Sequence, residues 1–305
     1  MNEESDTRDD DQERRQDREL EHSKLRGDIE LVRNYGEAHP DVWVDLWIEN
    51  EPSVRIVTAF VGEDVDAHEA ALRHLVDHPD QLDVRSNLYS RTYLEGIKNE
   101  VHEMATTTEQ GSFSSWGIGR GRLNVVVRAS RQDLAQRLAD TYGDALTLRV
   151  GFFSYPDPTM RDADLPRRRA PVPERTPLLP QAIRVSVDVG LEVRSGEHLR
   201  SVLHVFNDGS TEIVVMTNGA VTARIVDPQT EAGVGAYEFA QTAVGIPFLI
   251  PPQGSVDVPL LVGTASTNSL LGYCVPPGRW SIEVSLNVKD RGPFRSPLLP
   301  IDVIA

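Results

Sequence analysis

The residue types able to do chemistry are scattered through this chain without the spacing that chemistry needs. His68, His74 and His78 fall within eleven residues, and the last two stand four apart, the interval at which one helix face presents two zinc ligands. A zinc site needs a third ligand and a tetrahedral shell. The runs His68-Glu69-Ala70-Ala71-Leu72 and His102-Glu103-Met104-Ala105-Thr106 both lack the second histidine of a zincin. A polar helix face, with His78 near the C-terminal dipole, accounts for these histidines more simply. Trp116-Gly117-Ile118-Gly119-Arg120-Gly121-Arg122 has the glycines and arginines of a phosphate loop, but it precedes a strand instead of opening a helix, and no Lys-Ser/Thr follows. A turn or bulge into a sheet is the expected role. Ser112, Ser114 and Ser115 read as a flexible polar loop, with neither a nucleophile elbow nor an identifiable His and Asp partner. Cys274 reads as a small buried hydrophobe. The expectation is therefore no catalytic residue, no metal and no cofactor.

Aromatic residues remain as candidates for binding. Trp43 and Trp47 flank Asp45 in one strand-like run, so strict alternation would put all three on one face, opposite Val44, Leu46 and Ile48. A tryptophan face can bind a partner, but a sheet covered on one side by helices needs large rings for its core, and core packing is the expected role. Trp280 is expected in a sandwich core on the same grounds.

The elements that would position these residues follow from periodicity. Residues 1–24 carry ten acids against five bases and almost nothing apolar, so a solvated acidic tail is expected, fraying into a helix begun by Leu25, Ile29 and Val32. Strands are expected at Val42–Ile48, Val54–Val61, Leu82–Arg85, Leu123–Arg128 and Leu146–Val150. Asp66 and Glu69 suggest a capping box for a helix ending at His78. Ser90 is placed to cap a second helix, Ser130 starts a third, and Gly143 stops it. The run 54–57, helix, 79–85 is echoed by 123–126, helix, 143–149. Two strand–helix–strand units imply an α+β domain over 25–155, a split, ferredoxin-like sheet with helices on one face.

Residues 156–182 hold a cluster of prolines around Arg167-Arg168-Arg169 and read as a semi-rigid linker. From 183 to 305 the pattern is all-β: strand-like runs at 183–193, 199–206, 212–217, 220–226, 247–250, 256–262, 280–288 and 298–304, with turns at Asn207-Asp208-Gly209, Asn218-Gly219 and Pro276-Pro277-Gly278. Short strands at this spacing imply an immunoglobulin-like β-sandwich. Its long connections, Asp227–Gln241 and Gly263–Val275, are the expected partner surface.

Two resemblances accompany this reading. Tyr35-Gly36-Glu37-Ala38-His39-Pro40-Asp41, Ala59-Phe60-Val61-Gly62-Glu63-Asp64-Val65 and Tyr142-Gly143-Asp144-Ala145 resemble modules of actinobacterial proteins. The second strand–helix–strand unit is similar to the α+β pro-segments of bacterial trypsin-like proteases such as the streptogrisins. The likeness spans about residues 35–150, and the protease with its catalytic serine is absent from the chain. It implies a folding aid or inhibitor acting in trans. Leu203–Gly209 and Pro276-Pro277-Gly278-Arg279-Trp280 resemble bacterial immunoglobulin-like modules, which speaks to fold alone.

The formal charge of −16 over 305 residues disfavours nucleic acid as a partner, because phosphates would be repelled. No apolar run reaches the length of a membrane span. The start MNEESDTRDD has no secretory signal as written, the single cysteine rules out an internal disulfide, and a cytoplasmic location is expected. The functional expectation is a non-enzymatic, two-domain protein that binds an unknown protein partner.

Overall fold

The computed structural model describes residues 19–156, 176–239 and 244–305. Most of the expected acidic tail (1–18) and of the expected proline linker (157–175) lies outside them. The described ends of those segments are structured. Residues 19–24 are helical, and Leu178 bridges Arg295 while Leu179 packs on the C-terminal core. The chain is mixed α and β with strands predominating. It divides into two compact units: 1–108 with 116–125 and 142–147, and 109–115 with 126–141 and 148–305.

In the first unit, α1 (Arg26–Glu37) precedes β1 (Trp43–Glu49) and β2 (Arg55–Phe60). α2 (Val65–Leu75) then crosses over to β3 (Leu82–Ser86). β1 is antiparallel to β2, and β3 is parallel to β2, giving the order β1-β2-β3. Leu25, Val32, Ile56, Phe60, Leu72 and Leu82 form the core beneath this sheet. α1 buries Asp28, Val32 and Gly36, a stripe at four-residue spacing. α3 (Arg91–Thr106) begins at Ser90, whose hydroxyl accepts the Tyr93 amide as expected.

The echo repeats this order of elements. β4 (Phe113–Gly119) and β5 (Arg122–Val127) are joined by Arg120-Gly121, both with positive φ, the backbone of a primed hairpin turn. α4 (Gln132–Tyr142) leads to β6 (Leu146–Val150), followed by the short β7 (Phe153–Ser154), in the order β4-β5-β6-β7. The N-terminal strands thus form two sheets, not one split sheet, because each strand–helix–strand run closes on its own hairpin. Two local readings also change. α2 starts after Asp64 and ends at Leu75, so Asp66 lies within its first turn and His78 beyond it. The expected serine loop is partly β4, which holds Ser114, Ser115, Gly117 and Gly119, while the glycine run's expected turn is Arg120-Gly121.

The second unit contains β8 (Ile183–Val187), β9 (Glu192–Arg194), β10 (His198–Asn207), β11 (Ile213–Thr217), β12 (Val221–Val226), β13 (Gly233–Ala236), β14 (Ile246–Ile250), β15 (Gly254–Gly263), β16 (Ala265–Ser266), β17 (Gly278–Val288), β18 (Gly292–Arg295) and β19 (Leu299–Ile304). The expected strand 183–193 is two strands, because Val189-Gly190 turns between β8 and β9, with Gly190 at positive φ. The long connection 227–241 contains β13, and 263–275 contains β16. β10 and β15 pair over ten residues. β17 changes partners along its length: Gly278–Val284 pairs with β19 and β12, and Ser285–Val288 with β18 and β11. Leu203, Val205, Val215, Ile225, Leu260 and Val284 share one core. Trp280 packs against it, with Nε1 donating to the Pro276 carbonyl at 3.0 Å.

Candidate binding groove

A groove of about 830 Å³ runs along β1 in the first unit. Trp43, Asp45 and Leu46 of β1, Arg91 and Glu95 of α3 and Glu37 of α1 line it. β1 is the terminal strand of its sheet, so alternate backbone groups face away from β2. Side chains reach two of them. Arg91 Nη1 donates to the Val44 carbonyl at 3.4 Å, and the Leu46 amide donates to Asp45 Oδ1 at 2.9 Å.

A bulge shapes the site. Trp43 pairs with Phe60 and Asp45 with Ala59, so the register shifts at Val44. Trp43 therefore joins Leu46 and Ile48 on the core side, while Trp47 faces the other way, and the expectation that both tryptophans share a face fails. Trp43 is core as expected, at 9% exposure. Its Nε1 donates to Thr58 Oγ1 at 3.1 Å, and that hydroxyl donates to the Asp45 carbonyl at 3.1 Å. Arg91 lies 5.6 Å from its ring centroid, a cation–π contact on the groove side. Trp47 lies under Arg85 at 5.8 Å. The two nitrogens of Arg85 grip Glu49 at 2.9 and 2.8 Å, which holds the Glu49 carboxyl below its usual range.

The histidines disperse. His68 stacks on Phe60, and its Nδ1 lies 3.0 Å from the Tyr35 hydroxyl. Burial first, and then His39, push its pKa down. His74 is exposed in the last turn of α2. His78 lies 2.9 Å from the buried Asp28, which also accepts the amides of Asp77 and His78. Among the described residues no group of three His, Cys, Asp or Glu side chains can hold a metal. His102 meets Trp116 at 5.8 Å on α3.

In the second unit Ser112 is buried and bonded by Arg131, and Ser114 and Ser115 lie in β4. Cys274 is half-buried. Burial, then the charges of Glu238 and Glu197, push its thiol up to about 11, so it is no thiolate at neutral pH. The connection 227–241, read as a partner surface, carries a buried carboxyl at Glu238, held against Arg128 and Ala129. No sequence signal marks Glu238, Arg128 or Asp28, whose partners are about 50 to 110 residues away.

No family model and no curated protein matches the chain. Among solved structures it is similar to the cupredoxin domain of amoB from Nitrosocaldus yellowstonii, at 12% identity and a TM-score of 0.22 over 42% of this chain and 90% of that one. It is also similar to PapD-like domain 7 of human CEP192, at 12% identity and 0.21 over 40% and 85%. Spo0M, a sporulation control protein of Bacillus subtilis, matches at 14% identity and 0.24 over 41% and 50%. At such scores these likenesses carry no argument about fold or function. No described helix is long and apolar enough to cross a membrane.

Proposed function

We propose that this chain is a non-enzymatic interaction protein whose groove along β1 holds an extended segment of a protein partner. One observation carries the reading: a terminal strand whose outward Val44 carbonyl and Leu46 amide are met by side chains, Arg91 and Asp45, that an incoming strand can displace. Strand addition supplies main-chain hydrogen bonds, and the groove beside the strand supplies selectivity for side chains. The formal charge of −16 turns the proposal away from nucleic acid. The reading also takes residues 183–304 as an immunoglobulin-like sandwich. Its support is the single core shared by strands on either side of the partner change in β17.

Gly96 provides the test. It lines the groove from α3, and a β-carbon there would meet nothing within 4 Å, so a side chain at this position starts out into open space within the groove. Peptides selected by display against the full chain should bind Gly96→Trp at least about tenfold more weakly, a loss of about 1.4 kcal/mol. The thermal midpoint should hold or rise, since glycine is a poor helix former. Unchanged peptide affinity would place binding elsewhere.

A second reading is a protease-associated factor acting in trans. It rests on the pro-segment resemblance over about residues 35–150, a stretch whose Glu37 and Pro40 line the same groove. Inhibition of a secreted trypsin-like bacterial protease by the full chain, abolished in Gly96→Trp, would make that class the partner. Absence of inhibition at micromolar chain would remove it.

A further inference from the structure

Glu238 is an acid of the second unit whose burial the described residues around it do little to offset. Its side chain is 7% exposed. It follows β13 in the sequence Tyr237-Glu238-Phe239, and it meets a segment more than a hundred residues earlier. Oε2 accepts the Ala129 amide at 3.0 Å. Gly151, at positive φ, lies beside that contact: a β-carbon on it would be 3.3 Å from the Ala129 β-carbon and 3.4 Å from Oε2. Oε1 lies 3.9 Å from Arg128 Nε, beyond hydrogen-bond reach, and that nitrogen is buried without a hydrogen-bond partner among the described residues.

Arg128 is poorly free to close the gap. Its Nη2 donates to Glu197 Oε2 at 2.9 Å and to His198 Nδ1 at 2.6 Å, and its guanidinium lies over the Phe239 ring at 5.4 Å. The charged and titratable groups facing Glu238 are thus Arg128 from the β5–α4 connection, Glu197 and His198 from the turn into β10, and Cys274 beyond them. Glu197 carries the same sign as an ionised Glu238. A buried carboxylate with one amide donor and a cation held off by other partners is costly, whereas the neutral acid is not.

We propose that Glu238 is a proton-controlled latch: as the neutral acid it stays packed on Ala129 and holds residues 237–239 against 128–130, and on ionisation it leaves for solvent and frees that loop. The direction of the response follows from linkage. Burial pushes the carboxyl up to about 7, against the opposing pull of the Ala129 amide and Arg128. A group raised in the closed state stabilises that state fully below its free value near 4.5, and the stabilisation is lost as pH rises through about 7. The latch therefore opens toward alkaline pH. Between about pH 6 and about pH 8.5 the open-to-closed ratio should rise roughly tenfold for a shift of this size.

The test is hydrogen exchange of the full chain across that window, corrected for the intrinsic pH dependence and read on peptides covering 233–239 and 128–131. Wild type should lose protection about tenfold in both segments as pH rises. Glu238→Gln, a neutral isostere, should remain protected at every pH, and Glu238→Ala should be exposed at every pH. Should Glu238→Ala not fold, wild type and Glu238→Gln still decide the matter. Protection that is flat with pH in wild type, or that still falls in Glu238→Gln, overturns the latch. So does a carboxyl that titrates by carbon-13 NMR near the ordinary glutamate value, because the ionised form then stays in place beside Arg128.

Discussion

A β-carbon on Gly36 would collide with the indole ring of Trp43, so the end of α1 approaches the groove strand as closely as only glycine permits. Gly36→Ala sets two effects against each other. Alanine favours a helix by about 1 kcal/mol, but overpacking against a buried ring costs about 1–3 kcal/mol. The ring is pinned by Thr58 and by the bulge, so the clash should win. Urea unfolding should show a net loss of up to about 2 kcal/mol, with the Trp43–Arg91 side of the groove displaced. A stabilised Gly36→Ala chain would contradict the contact.

Asp28 ties α1 to the chain beyond α2 through three hydrogen bonds, from the Asp77 amide at 2.9 Å, the His78 amide at 3.0 Å and His78 Nδ1 at 2.9 Å. Asp28→Ala strands two backbone donors and should cost about 2–3 kcal/mol. His78→Ala removes one bond from a side chain that is 41% exposed and should cost under about 1 kcal/mol. Equal losses in denaturant titrations of the two variants would show that the amide contacts carry little.

His204 bridges Asp257 at 2.7 Å and Asp188 at 3.2 Å on the outer face of β10. These hydrogen bonds, Asp257 first, raise its pKa. A histidine raised on folding stabilises the fold below its unfolded value, and the gain is lost as pH rises through the raised value. Because the aspartates are exposed, the gain should stay under about 1 kcal/mol. Proton NMR should show the His204 midpoint falling further in Asp257→Asn than in Asp188→Asn. The opposite order would refute the assignment.

Residues 19–24 contribute contacts that an acidic tail would not. Gln81 Nε2 donates to Glu21 at 3.0 Å, His22 lies 2.7 Å from Asn50 Oδ1, and the Leu25 amide donates to the Glu21 carbonyl. Deleting 1–24 should therefore cost about 1 kcal/mol more than deleting 1–18. Matching thermal midpoints for the two truncations would leave this helical turn without a stabilising role.

Local signals carried the reading of this chain wherever the partners of a residue lie close by in sequence. The Ser90 cap is three residues from the amide it accepts, Gly143 takes the positive φ that ends α4, and apolar alternation located β2, β5, β6, β10 and β15 within a residue or two. The tertiary structure decided whatever depends on distant pairing. Val44 is bulged because Trp43 pairs with Phe60 while Asp45 pairs with Ala59, and that register shift puts Trp43 in the core and Trp47 on the opposite face. The echo at 54–85 and 123–149 shows two similar units, but which strands share a sheet is set by hydrogen bonds between strands and not by their likeness. β4, β13 and β18 are rich in glycine or interrupted by proline, so they become strands only because a neighbour offers a ladder. Asp28 and Glu238 look in sequence like two more of the 47 acids. Folding buries each against backbone amides about 50 and 110 residues away, and only that long-range burial gives one a structural task and the other a titrating one.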